Sequence, residues 1–330
     1  MSVATLFNSV VGMYLTQSFC HAIIAAMITD RALKAWAIYD PLARQRFRLI
    51  VILFPIVSFP LYQTINPVRS SALFRIDALF DSSRWLFLEI WGFMPVSLLL
   101  VLMFMITSFV FLFQEMLPVL RSTLDAGHPG QGGTHLDVDP FLAEASRALS
   151  IRKPEVVLID DDAPLLFSTT GRDAMIFLST GLSQSLTAEQ LQAALAHELA
   201  HIARSRRPLL IAVFLLRIIM FFNPVVLVKF RRAVRDEEKI CDDIAVSLTG
   251  NPAALAATLK LFHQKTGENP DPGTPTPVPQ HVSLEEYSHT LHLEDRIRRL
   301  ETGSTDAMPH WGVPFTVTLL VVAVLNYFIV

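Results

Sequence analysis

The chain has 330 residues, room for two domains, and 52% of them are hydrophobic against 17% charged. A mean hydropathy of +0.44 lies outside the range of an ordinary soluble enzyme and points to a membrane protein. The net charge of −3 gives no electrostatic support to nucleic-acid binding. The two cysteines, Cys20 in an apolar run and Cys241 in a charged stretch, argue against a disulfide framework.

The opening MSVATLFN has no basic n-region and no evident small-residue cleavage site, so the first apolar stretch is expected to be a retained helix. Four segments are long enough to cross a bilayer, which takes about 20 apolar residues. They cover roughly residues 5–29, 49–65, 85–113 and 311–330; the second holds Pro55 and Pro60. The loop before the second carries Arg31, Lys34, Arg44, Arg46 and Arg48, against three basic and two acidic residues in the next loop, 66–84. Basic residues favour the cytoplasmic side, so both termini are expected outside and the region after about Glu115 in the cytoplasm of a bacterial-type plasma membrane. The expected domains are 1–113 (three transmembrane helices), 114–308 (a soluble-type domain) and 309–330 (a last transmembrane helix).

Between Gln114 and Pro208 the composition is that of a soluble domain. DPFLAEASRALSI has the spacing of a short helix, and EVVLID and AMIFLS read as strands. TAEQLQAALAHELAHIARSRR reads as an amphipathic helix with Thr187 as N-cap, Gln190 completing a capping box and Pro208 closing it. The stretch 208–229 is apolar, yet it contains Arg217 and Asn223-Pro224 and is flanked by basic clusters. A hairpin dipping into the membrane fits it better than a crossing. A helix is expected to follow, ending near Gly250, then another from about Pro252. GENPDPGTPTPVPQ is a proline-rich linker.

The chemistry is carried by His197-Glu198-Leu199-Ala200-His201. On a helix the i, i+4 spacing puts both imidazoles on one face, able to meet one Zn²⁺, with Glu198 beside them to take a proton from the attacking water. Read as a solvated helix face, the same residues would be costly among AALA and LA neighbours, where two histidines and a glutamate would be buried unpaired. A catalytic zinc wants a third protein ligand, and RDEEKICDDIAV offers Glu238 and Asp242 at i, i+4. From the residues alone, Glu237, Glu238, Asp242 and Asp243 are nearly interchangeable. Glu238 is the preferred ligand, with Asp242 holding a ligand histidine by its second ring nitrogen; Cys241 reads as a packing residue.

HELAHI, then FNPVV, then E-x-x-C-D and the late LEDRIRRL, over roughly residues 155–300, resemble the membrane zinc metallopeptidases of the BlaR/MecR antirepressor type. Those are gluzincins related to the heat-shock and prenyl-protein membrane proteases. The resemblance implies a multi-pass α-helical membrane protein with an inserted α+β gluzincin-like metallopeptidase domain. It also implies His197, His201 and Glu238 as ligands of one zinc ion, Glu198 as general base and Asp242 as helper acid. The strand near 174–178 is expected to pair with an extended substrate.

The β-lactam-sensing members carry an extracellular penicillin-binding domain after their last helix, and that domain is expected to be missing here. Ser150-Ile151-Arg152-Lys153 and Lys265-Thr266-Gly267 match its motifs by coincidence. His292, Tyr287 and Arg296 come into consideration as oxyanion donors, each more simply a surface or packing residue. Asn8, Gln17 and His21 in the first helix are polar at membrane depth, where interhelical hydrogen bonding is the simplest role. The expected partners are a protein substrate and the lipid bilayer; oligomeric state is open, a dimer included. Cleavage of a cytoplasmic repressor in signalling competes with membrane-protein processing or quality control. A non-hydrolytic zinc scaffold would have no use for Glu198.

Overall fold

The computed structural model describes residues 7, 9–117, 134–135, 139–169, 171, 173–205, 215–267, 293–303 and 311–330. The elements begin with α1 (Val10–Ala35), α2 (Pro41–Ile65), the short α3 (Ala72–Asp77) and α4 (Ser82–Leu86), β1 (Glu89–Ile90), β2 (Met94–Pro95) and α5 (Val96–Phe111). Next come β3 (Thr134–His135), α6 (Asp139–Ala148), β4 (Glu155–Ile159), β5 (Leu166–Ser168), β6 (Met175–Ser179), α7 (Thr180–Ser185) and α8 (Ala188–Ser205). The chain closes with α9 (Pro224–Thr249), α10 (Pro252–Gly267), α11 (Leu293–Thr302) and α12 (Gly312–Tyr327). It divides into two units: Met1–Met116, Ala212–Asp236 and Asp306–Val330 form the first, Leu117–Ile211 and Glu237–Thr305 the second.

In the first unit α1, α2 and α5 with its π-helical extension Leu112–Met116 are long and apolar enough to cross a membrane. α12 is apolar but has 16 residues, about 24 Å at the helical rise, less than the ~30 Å of a hydrocarbon core. α2 starts earlier than the apolar run suggests because Asp40 caps it, accepting from the Ala43 N–H at 2.7 Å, and proline suits a first helical turn. Arg44, Arg46 and Arg48 therefore lie in the helix and not in a loop. Pro55 and Pro60 each remove one helical N–H without ending α2.

The third expected span begins at Val96, later than residue 85, because the residues before it form α4 and the β1–β2 hairpin. Of the polar residues in α1, His21 Nδ1 meets Ser58 Oγ at 2.7 Å, and Gln17 accepts from Arg69 at 3.2 Å. Both bonds are interhelical or helix-to-loop; Asn8 lies outside the described residues.

The described part of the 208–229 stretch turns at 220–223 before α9 begins, and Asn223 accepts from the Val225 N–H at 3.1 Å, capping that helix. Met220, Phe222, Val226 and Phe230 pack against Ala22, Ile52 and Phe104. Arg217 is fully buried, 3.4 Å from Glu115 and 4.6 Å over the Phe111 ring, a paired cation rather than a bare one.

The second unit is built on a four-stranded sheet of order β3-β4-β6-β5, with β4 and β6 parallel and β5 antiparallel to β6. Its core joins Ile176 and Leu178 of β6 to Leu195, Leu199 and Ile202, the i, i+4, i+7 face of α8. Ala193 and Ala196 on another face of α8 pack on α10 and α11. The capping box forms as expected: Gln190 N–H donates to Thr187 Oγ1 at 3.3 Å, and Thr187 N–H donates to Gln190 Oε1 at 2.9 Å. α9 ends at Thr249, and the following Gly250, with a φ of +66°, has the left-handed conformation of a glycine helix stop.

The sheet corrects one expectation. β6, the strand near 174–178, is interior and hydrogen-bonded on both sides, by β4 and by β5, so no backbone edge is left there for a substrate. Among the described strands the edge nearest α8 is β5, which the sequence gives little sign of.

Candidate metal centre

His197, Glu198 and His201 stand on α8 away from its leucine face, and the α9 pair Glu238 and Asp242 meets them. The two Nε2 atoms are 3.1 Å apart, and Glu238 places Oε2 3.7 Å from His197 Nε2 and Oε1 3.6 Å from His201 Nε2. One donor atom from each of the three residues lies within 4.8 Å of the others. A tetrahedral zinc with 2.0–2.1 Å bonds has ligand–ligand edges of about 3.3 Å, so the triangle needs only small adjustments to close on one ion.

The four acidic residues on α9 have different partners. Glu237 is forked by Arg204 and Asp243 is held by Arg299 at 2.7 Å. Asp242 Oδ1 is 3.1 Å from His197 Nδ1, which turns the other ring nitrogen toward Glu238. Cys241 Sγ lies 3.6 Å from His201 Nδ1, on the side of that ring remote from Glu238. Its position is that of a packing group.

Two further residues complete the cluster. Arg296, which the sequence offers only as one of several oxyanion candidates, donates to Asp242 at 2.8 and 2.7 Å and to Glu238 at 3.0 Å, and reaches His197 Nε2 at 3.4 Å. It is a brace between carboxylates. Tyr287 and His292 lie outside the described residues. Ser168, at the end of β5, donates its hydroxyl proton to Glu198 Oε2 at 2.7 Å; nothing in its neighbourhood in the sequence announces that contact.

The donor set fits a divalent cation. His197, Glu198, Glu238 and Asp242 are all buried, and the Arg296 guanidinium meets two of the three carboxylates, Asp242 and Glu238. Burial by itself would lower the pKa of His197, yet its hydrogen bonds to Asp242 and Glu238 overcome this and hold it up at about 9. Burial would raise the Asp242 carboxyl, and the adjacent Arg296 and His197 outweigh that and hold it well below the usual carboxylate range. Two imidazoles and a carboxylate are a donor set that could hold a metal ion.

Fold and site together define a multi-pass helical membrane protein carrying a metallopeptidase domain. A family model described as BlaR1 peptidase M56 matches residues 81–253, just over half of the chain, and the chain belongs to that family. It is also similar to proteins named protease HtpX homolog. That of Janthinobacterium sp. (strain Marseille) is 40% identical over 67 residues, 20% of this chain and 23% of the relative. Those of Caldanaerobacter subterraneus subsp. tengcongensis and Syntrophobacter fumaroxidans are each 26% identical over 49% of this chain, covering 70% and 74% of the relatives. With the Janthinobacterium protein and that of Herminiimonas arsenicoxydans, the chain shares about a quarter of the relative's length (23% in each case). No solved structure matches the chain.

Proposed function

We propose that this protein is a zinc endopeptidase that hydrolyses peptide bonds of a cytoplasmic or membrane-proximal protein. The observation that carries the reading is the convergence of His197, His201 and Glu238 donor atoms within 4.8 Å, next to Glu198 on the same helix. In this reading the three residues hold one zinc ion, which when bound supplies Lewis acidity to the scissile carbonyl and to the attacking water. Asp242 fixes the His197 ring through Nδ1 and Arg296 fixes Asp242 and Glu238. Ser168 holds Oε2 of Glu198, leaving Oε1 as the atom that takes the proton from water and passes it to the leaving amine. A substrate strand is best accommodated along β5, whose outer edge is next to Glu198 through Ser168.

The domain divisions at about 113 and 308, a membrane-dipping hairpin around 208–229, a cytoplasmic catalytic domain and outward-facing termini belong to the same proposal, supported by the basic residues Arg44, Arg46 and Arg48 at the start of α2. A transcriptional repressor in a signalling pathway is the favoured substrate.

Replacing Glu198 with Gln tests the reading. Cleavage should be lost while metal content, measured by elemental analysis of the purified protein, stays at one zinc per chain. Comparing the peptides of cells expressing the intact protein and the Glu198→Gln form would reveal the substrate. Persisting cleavage, or a variant stripped of its metal, would overturn the assigned role of Glu198.

A further inference from the structure

The segment between α2 and α5 begins and ends on one membrane face, because it joins two consecutive spans. It is held in place by backbone pairing with the end of α12: Leu79 N–H donates to the Phe328 carbonyl and Val330 N–H to the Phe80 carbonyl, both at 2.9 Å. Phe74 packs on Tyr327 and Phe328 beside that pairing, and Leu86 is buried, but other large apolar side chains of the segment are not covered. Leu73 and Ile76 of α3, Trp85 and Leu88 around α4, and Trp91 and Phe93 at the tip of the β1–β2 hairpin are all exposed, Trp91 by 80% and Phe93 by 71%. The two tip rings stack at 6.5 Å.

Such a surface is untenable in water and needs a cover. What covers it follows from the element that comes next. Leu98, Leu102, Met105 and Phe109 are exposed on α5, at spacings of four, three and four, which is one continuous helical stripe. On a helix that spans the bilayer, that stripe faces acyl chains. It starts three residues after β2 ends, so the hairpin's apolar surface continues the lipid-facing one without a polar break. Tryptophan with its ring apolar and its N–H polar favours the headgroup layer, where both ends are satisfied.

We propose that residues 72–95 form an interfacial membrane anchor, with Trp91 and Phe93 seated in the headgroup layer beside α5 and phospholipid as the occupant. The anchor is independent of the peptidase reading. It would fix the depth of the α2–α5 connection in the bilayer.

The test uses the full chain reconstituted in lipid nanodiscs, wild type against Trp91→Phe. The difference between their tryptophan emissions is the signal of Trp91. It should be blue-shifted, quenched more by lipids brominated near the headgroup than by lipids brominated deep in the chain, and shielded from acrylamide. A red-shifted signal quenched by acrylamide would place the hairpin in water. A signal reached by neither quencher would place it against protein, a second copy included. Either result overturns the proposal. Should Trp91→Phe fold poorly, Phe93→Trp in the wild-type chain gives the same readout by addition.

Discussion

Arg296 grips Asp242 at two points, Nε on Oδ2 at 2.8 Å and Nη2 on Oδ1 at 2.7 Å, and spends a third donor on Glu238. The guanidinium fork matches a carboxylate in a way an ammonium cannot. All three side chains are buried, so losing the cation takes a positive charge from beside two buried carboxylates. Arg296→Met should destabilise the metal-free protein by about 3–5 kcal/mol, the range for breaking a buried pair from one side. Arg296→Lys should restore only part of it. Denaturant unfolding of the purified protein measures both; an unchanged midpoint for Arg296→Met would show the brace to be dispensable.

Asp242→Asn removes the negative charge beside His197 Nδ1 while keeping the shape. Metal affinity should fall about 10–100-fold, the usual cost of losing a partner behind a ligand histidine. Competition with a chelator reads this directly, and the fall should appear without loss of the fold.

Metal uptake should depend on pH with a defined sign. His197 in the metal-free protein has its pKa raised from 6.5 to about 9. A raised folded value means the proton stabilises the metal-free protein fully below pH 6.5, and that contribution disappears as pH rises through about 9. A metal ion must displace this proton, so affinity should climb by up to about tenfold per pH unit as pH rises toward about 9 and then level off. Calorimetry at pH 7 in buffers of different ionisation enthalpy should count a released proton. Buffer-independent heats would contradict the assignment.

Gly181 in α7 approaches the loop after β4 so closely that an added Cβ would sit 2.2 Å from the Asp162 carbonyl oxygen. The obstacle is backbone, which cannot swing aside. Gly181→Ala should cost about 1–3 kcal/mol, typical of overpacking, seen as a lower unfolding midpoint with unchanged metal stoichiometry.

What the sequence conveys here follows from how local each interaction is. Thr187 and Gln190 bond within one turn, His197 and His201 share a helical face by spacing alone, and Gly250 stops a helix by its own conformational freedom; each can be read from a window of a few residues. Choosing Glu238 over Glu237 needs more, because the decision rests on Arg204 and on which way α9 is rotated. Ser168 and Glu198 are 30 positions apart and Arg296 and Glu238 are 58, and no periodicity connects them. The short β5 has too few residues to show an alternation, so nothing local marks β6 as a strand with a neighbour on both sides. The α2 start was hidden for a different reason: charged residues in its first turns obscured the helix that Asp40 begins.

Cys241 has no exposed surface, and burial, reinforced by Glu237 and Glu238, pushes its thiol well above the ordinary cysteine range. Thiolate is the reactive form, so alkylating reagents can reach this sulfur only in molecules whose domain has opened. The rate of its labelling is therefore a native clock for opening around the histidines, available without introducing any probe.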